Sequence, residues 1–121
     1  MITLLFLLAC GTPIPTQTSA PSATADPAIE AMRQQPIGYT RHGECRMECR
    51  DISKDEVEAI LQRDGKLNPE RTRLDGECPS HALEGKTADG QEVRIVFAAC
   101  RDETRVVTAI DLVKEWPCDC L

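Results

Sequence analysis

The sequence predicts a small α+β domain in which two N-terminal helices pack on a three- to four-stranded antiparallel sheet. Three observations predict this fold class. Ser53 and Glu56 form a capping-box pattern ahead of apolar residues at helical spacing. An Asp89-Gly90 turn separates two strand-like segments. Residues 37–121, about 85 in number, follow a proline-rich stretch and have the length of one domain.

The chain begins with an uncharged run, Met1 to Ala9, followed by Cys10. The run is too short to span a bilayer, which takes about 20 residues, but it has the length of a signal-peptide apolar region. The residues Leu7-Leu8-Ala9-Cys10 resemble the lipobox of bacterial lipoproteins. This resemblance implies cleavage before Cys10, a diacylglycerol on its sulfur, and a membrane-anchored place in the cell envelope, facing the periplasm or the exterior. Because no Lys or Arg precedes the run, we expect either a start upstream of Met1 or a minimal signal.

Residues 10–36 form a predicted linker between this signal peptide (residues 1–9) and the domain (residues 37–121). Five of the eight prolines lie in the linker, among many Ser, Thr and Ala residues. Such a composition buries too little apolar surface to offset chain entropy, so we expect an extended tether. A short helix at residues 29–33 is weakly indicated.

Two helices are predicted at the start of the domain. The first runs from about Arg41 to Arg50 and ends before Asp51. The second begins at the Ser53 capping box and ends at Asp64-Gly65, because glycine favours helix C-termini. Val57, Ile60 and Leu61 give its apolar face.

The second half of the domain is predicted to form strands. A three-residue loop, residues 88–90, places Gly90 at the position that requires a positive φ. Opposite charges then meet on one face and apolar residues on the other, which fixes the register. The pairs are Lys86 with Glu92, Glu84 with Arg94, Leu83 with Ile95, His81 with Phe97 and, by extension, Cys78 with Cys100. A further strand is expected near residues 105–113 and a short edge strand near residues 70–74.

Six cysteines lie in the domain, and an even number in a small exported domain predicts a disulfide framework. The strand register pairs Cys78 with Cys100. Helical neighbours and a pair separated by one residue make poor disulfides, so the remaining two bridges should join Cys45 and Cys49 to Cys118 and Cys120. The alternatives are a four-thiolate zinc site made of the same four cysteines, and a module of free or redox-active thiols. Neither spacing is the usual Cys-x-x-Cys of zinc sites.

The segment from His42 to Ile52, with its Arg46-Met47 pair, resembles the opening of the domain of unknown function 4258 family. The Leu83-Glu84-Gly85 strand and the Asp89-Gly90 turn are similar to the later part of that family. The layout resembles small ribonuclease toxins of the RelE and BrnT kind. The resemblance implies a possible site at His42, Arg46 and Arg50. Cys45 and Cys49 stand where the family more often has charged residues.

The three polar residues of that resemblance also stand out by spacing. His42, Arg46 and Arg50 are four residues apart and share one helix face. Two Arg side chains beside a His could bind a phosphate and move a proton, as RNA cleavage requires. Alternatively, the Arg side chains simply pair with acidic neighbours such as Glu48 and Asp51. His81 is expected to pack against Phe97 rather than to act in catalysis.

These observations predict an uncharacterised envelope lipoprotein with a non-enzymatic structural or interaction domain. The expected partners are a membrane, through the lipid on Cys10, and an envelope protein. A net charge of -6 argues against a nucleic-acid partner. No cofactor is expected, with zinc as the alternative. The other candidate activities are a ribonuclease-like enzyme that uses His42, Arg46 and Arg50, and the cysteine-based module.

Overall fold

The computed structural model describes residues 26–120. The predicted signal peptide, the predicted lipidation site Cys10 and the predicted linker up to residue 25 lie outside this range. The elements in chain order are α1 Pro27–Arg33, β1 Ile37–Tyr39, α2 Arg41–Cys49, α3 Lys54–Ala59, a π-helical turn Ile60–Asp64, β2 Lys66–Leu67, a 3-10 turn Pro69–Arg71, β3 Ser80–Lys86, β4 Glu92–Ala99 and β5 Thr104–Asp111. No helix in residues 26–120 is long and apolar enough to cross a membrane.

One five-stranded sheet has the order β1-β5-β4-β3-β2. β1 runs parallel to β5, and the other three strand pairs are antiparallel. The α+β class is therefore present, but the predicted arrangement is wrong: the sheet is mixed, it has five strands, and β1 precedes the two predicted helices. The two unpredicted strands, β1 and β2, have three and two residues, too few to show an alternating pattern.

α1 lies in the segment for which the sequence predicted an extended linker with a weakly indicated helix at residues 29–33, and the helix covers Pro27–Arg33. The Asp26 side chain accepts a hydrogen bond from the Ala28 amide at 2.8 Å, which caps the helix. Ile29 and Met32 are buried in the core. The Met32 carbonyl also accepts a hydrogen bond from Thr104 at 3.0 Å, which ties α1 to β5. α1 is therefore packed on the domain through two apolar residues three positions apart.

α2 and α3 follow the predicted positions closely. α2 ends at Cys49, and Asp51 adopts a positive φ of 56° between the two helices. The predicted capping box is present, with Ser53 and Glu56 each bonding the other's backbone amide. The helix then widens into the π-helical turn, which the Gly65 amide closes by donating to the Ile60 carbonyl at 2.8 Å.

The predicted β3–β4 register is confirmed from His81–Phe97 to Lys86–Glu92. Gly90 has a φ of +90°, and the Thr87 amide donates to the Gln91 carbonyl at 2.8 Å, as the three-residue loop requires. The edge strand expected near residues 70–74 is wrong. That segment holds the 3-10 turn and a single bridge between Arg73 and Ser80, while β2 forms the edge.

The hydrophobic core lies between the helices and one face of the sheet. Phe97 is its only fully buried aromatic side chain. The other fully buried large hydrophobic side chains are Met32, Val57, Ile60, Leu61, Leu83, Val93, Ile95 and Val106, and the polar Thr104 is buried as well. On the opposite face, the Arg94 and Glu84 side chains form an ion pair at 2.7 Å. The core is thin for the size of the domain, which makes cross-links valuable.

Candidate functional site

α2 and its C-cap residue Arg50 carry the three polar residues that the sequence selected, and we call His42, Arg46 and Arg50 the α2 stripe. The helix begins at Thr40, whose hydroxyl accepts a hydrogen bond from the Gly43 amide at 2.8 Å. Arg46 Nε donates to His42 Nε2 at 3.3 Å, so the structure brings these two side chains together. His42 is exposed and Arg46 is half-buried.

Arg50 occupies a different environment from the rest of the α2 stripe. Its Nη1 donates to the Ala109 carbonyl of β5 at 2.5 Å. β1 pairs with β5 only as far as Val106, so Arg50 reaches the part of β5 that β1 leaves uncovered. Burial, and then the charge of Arg46, lower the pKa of the Arg50 guanidinium, and Asp111 partly offsets this effect. Arg50 therefore has a structural bond as well as a place in the stripe.

The alternative in which these arginines pair with acidic neighbours is not what the structure shows. In residues 26–120, the ion pairs within 4.0 Å involve neither Arg46 nor Arg50. Glu48 and Asp51 are exposed. Although the chain is acidic, no carboxylate of residues 26–120 forms an ion pair with the guanidinium group of Arg46 or of Arg50.

His81 lies apart from the α2 stripe. It is 2% exposed and stands opposite Phe97 in the register of β3 and β4. Its Nδ1 is buried and has no hydrogen-bond partner in the described part of the chain. β4 separates β3 from β5, against which α2 packs. His81 therefore belongs to the core and not to the candidate site.

The six cysteines of the domain form three disulfides. Cys78 bonds to Cys100 with a Cα–Cα distance of 4.4 Å, as the strand register predicted. The other two bridges join α2 to the end of the chain, Cys45 to Cys120 and Cys49 to Cys118, with Cα–Cα distances of 5.9 and 5.7 Å. The thiols that the zinc and free-thiol alternatives would use are thus all in disulfides in this structure.

The two bridges on α2 place residues 112–120, which we call the C-terminal tail, beside the stripe. Cys45 and Cys49 each precede one of the stripe's arginines in sequence. On an α-helix, adjacent residues are rotated by about 100°, so the cysteines and arginines occupy neighbouring faces. The end of the tail is therefore fixed to the helix face next to the one that carries Arg46.

Asp111 holds the start of the tail, and sequence analysis did not select it. Its Oδ1 accepts hydrogen bonds from the Val113 and Lys114 amides at 2.8 and 2.7 Å. Its Oδ2 accepts from Trp116 Nε1 at 3.0 Å and from Gln91 Nε2 at 2.8 Å. Burial by itself would raise the pKa of Asp111, but these hydrogen bonds outweigh it and hold the pKa well below the usual range.

Gln91 extends this network to the helix. The same Nε2 that donates to Asp111 also donates to the Arg50 carbonyl at 2.9 Å. The end of α2, the end of β5 and the start of the tail are therefore joined through one amide side chain. Asp is a residue type that often forms Asx turns, in which its side chain accepts a hydrogen bond from the backbone amide two residues later. This preference is the sequence signal that points to Asp111.

Comparison with known proteins identifies the domain. A family model described as a domain of unknown function (DUF4258) matches residues 39–111, which is more than half of the chain. No curated protein and no solved structure matches the chain. The matched range begins at β1 and ends at Asp111, so it contains the α2 stripe but not the C-terminal tail or its two cysteines. The chain therefore belongs to the DUF4258 family of domains of unknown function.

Proposed function

We propose that this chain is an envelope lipoprotein whose cross-linked domain is a non-enzymatic interaction module. The observation that carries the proposal is the pairing of all six domain cysteines in disulfides. Disulfides persist in exported proteins and are rare in reducing compartments. The lipobox-like Leu7 to Cys10 segment supplies the matching anchor. The module would meet a membrane through the lipid on Cys10 and an envelope protein through its own surface.

The α2 stripe and the tail beside it form the surface that best fits an interaction role. The stripe presents donors that the described residues do not occupy, and two disulfides fix the segment next to it. A fixed surface loses less entropy on binding than a mobile one. The proposal requires no metal or other cofactor.

The mass of the native protein tests this proposal. We expect a chain that begins at an acylated Cys10 and is three pairs of hydrogens lighter before reduction than after it. Alkylation without reductant should label no domain cysteine. Six alkylatable thiols in the native protein would contradict the proposed compartment, and zinc bound to the purified protein would favour the four-thiolate site.

A ribonuclease-like activity is the second candidate, because Arg46 and His42 are in hydrogen-bond contact on one exposed helix face. Arg50, however, is committed to the Ala109 carbonyl. RNA incubated with the oxidised protein tests this candidate when Arg46→Ala is compared with Arg101→Ala, which removes an exposed arginine outside the stripe. Cleavage that Arg46→Ala abolishes and Arg101→Ala preserves would replace the non-enzymatic proposal.

A further inference from the structure

The α2 stripe has unused donors on a fixed scaffold. Arg46 uses its Nε on His42, and no carboxylate of residues 26–120 lies within 4.0 Å of its guanidinium. Arg50 is held in place by the Ala109 carbonyl through Nη1 alone. A guanidinium has five N–H donors, so most donors of both side chains are available for another group.

We propose that the α2 stripe binds a phosphate group. The inference rests on the proposed interaction role of this surface and names its ligand chemistry. The Arg46 guanidinium contacts the His42 imidazole, and Arg50, four residues further on at the C-cap of α2, is close enough for its charge to be affected by that of Arg46. Guanidinium groups match the oxygen spacing of phosphate and bind it with two parallel hydrogen bonds. A doubly charged oxyanion uses several such donors at once, whereas a single carboxylate leaves most of them unused.

The electrostatics of the stripe support an anionic ligand. The charge of Arg46 is one of the causes that lower the pKa of Arg50, which means that the two cations already repel each other. An anion between them removes that repulsion and gains two charge-assisted hydrogen bonds.

The overall charge limits the size of the ligand. The chain has a net charge of -6, so a long polyanion such as RNA meets repulsion beyond the stripe. A single phosphate group touches only the stripe and avoids most of this repulsion. Such a group could belong to a phospholipid headgroup or to a small soluble phosphate ester, and the two sources share the same recognition chemistry.

The scaffold around the stripe is preorganised. Gly43 allows α2 to lie directly on β5, since a Cβ there would be 2.5 Å from the Val106 carbonyl oxygen. The bridges from Cys45 and Cys49 fix the tail alongside. Binding therefore orders few additional side chains, which favours affinity for a small ligand.

The experiment is a titration of the oxidised full chain with inorganic phosphate, monitored through the NMR signals of the rings of its two histidines. His42 lies in the stripe and is exposed, while His81 is 2% exposed and serves as an internal control. We expect the His42 signals to move with saturation and the His81 signals to stay. Arg46→Gln should raise the dissociation constant for phosphate at least about tenfold, since losing a hydrogen bond to a charged group typically weakens binding by this factor or more. Arg101→Gln, which removes an exposed arginine elsewhere, should leave it unchanged.

A second arm separates the two sources of phosphate. Phosphatidylcholine vesicles with and without phosphatidic acid are mixed with the Arg46→Gln and Arg101→Gln proteins, so that any contribution of the lipid anchor is the same in both. If Arg46→Gln binds the phosphatidic acid vesicles less than Arg101→Gln does, the ligand is a lipid headgroup. If the two variants bind these vesicles equally, the ligand is a soluble phosphate ester. If the His42 signals do not move, or if both variants bind inorganic phosphate equally, the inference is overturned. That result would leave the disulfide count, on which the proposed function depends, untouched.

Discussion

Gly43 shows how a single residue positions the candidate site. It is buried in α2, and an added Cβ would lie 2.5 Å from the Val106 carbonyl oxygen. No flexible side chain can move away there, because the contact is with backbone. The position of the α2 stripe relative to β5 therefore depends on the absence of a side chain at this point.

We predict that Gly43→Ala lowers the free energy of unfolding by about 2 kcal/mol, because α2 must move away from β5. The ~1 kcal/mol that alanine gains in helix propensity does not offset this cost. Glu48→Ala, on the exposed face of the same helix, should change stability by less than about 0.5 kcal/mol. Denaturant unfolding measures both. A Gly43→Ala protein as stable as the unmodified one would contradict the close approach of α2 to β5.

Asp111 gives the domain a pH dependence of defined sign. Its folded-state pKa lies below that of an unfolded aspartate, for which the usual value is about 3.9. The stabilisation from its carboxylate is therefore complete above the unfolded pKa and is lost as the pH falls toward the folded pKa. We predict that Asp111→Asn costs roughly 1–2 kcal/mol at neutral pH, because hydrogen bonds to a charged group are lost.

The same experiment at acidic pH supplies the control for Asp111. As the pH falls from the unfolded pKa of about 3.9 toward the lower folded pKa, the stabilisation by the carboxylate is lost, so the stabilities of the two proteins should converge progressively. Urea unfolding at neutral pH and at acidic pH measures this convergence. A stability difference that is as large in acid as at neutral pH would show that the charge of Asp111 is not what matters.

At the scale of elements, the two bridges between α2 and the tail act together. Each spans a long separation in sequence, 75 residues for Cys45–Cys120 and 69 for Cys49–Cys118. Once either bridge is closed, the other closes only the short ring formed by one helical turn and three residues of the tail. Short loops lose less entropy on closure than long ones.

This geometry predicts that the two bridges are strongly non-additive. Replacing Cys45 and Cys120 by Ala should cost roughly 2 kcal/mol, and so should replacing Cys49 and Cys118. Replacing all four should cost more than the sum, because only then is the long loop released. Thermal or denaturant unfolding of the three variants provides the comparison, and Cys78–Cys100 remains in all of them. Simple additivity would argue that the tail is held by contacts other than the bridges.

The elements also show which parts of the fold the sequence could predict. The β3–β4 register followed from a tight turn and from charge pairs within 20 residues, and the capping box of α3 is local as well. β1 could not be predicted, because its three residues pair with a strand more than 60 residues away. α1 was only weakly indicated, as a short helix at residues 29–33 within the linker, because its proline and alanine content hid two buried apolar residues.

The candidate site follows the same division. The spacing of the α2 stripe is local, so the sequence alone selected all three residues; the structure brings His42 and Arg46 into contact and places Arg50 at the C-cap of the same helix. The partner of Arg50 is a backbone carbonyl, and Asp111 acts through Gln91 and Trp116. Such contacts depend on how distant elements pack, and no sequence pattern encodes them.

At the scale of the whole molecule, three disulfides and a small core suit one another. Within residues 26–120, Phe97 is the only aromatic residue that is fully buried, and the other hydrophobic core side chains are not aromatic. Two bridges link the helical half of the domain to the C-terminal tail. The third links the two ends of the β3–β4 hairpin to each other. A domain with three such bridges does not need a larger core, because the bridges restrict its unfolded state.

The proposed anchor makes the last prediction, which concerns where the molecule lies in the cell. Two acyl chains hold a protein stably on a membrane, at roughly 0.8 kcal/mol per buried methylene, whereas a single chain does not. Cys10→Ser should therefore move the protein from the membrane fraction to the soluble fraction, and Thr12→Ser, a change of similar size nearby, should not. Detergent-phase partitioning and intact mass of both variants give the readout. A Cys10→Ser protein that remains on the membrane with its mass free of acyl chains would rule out Cys10 as the anchor, and the compartment would then rest on the disulfides alone.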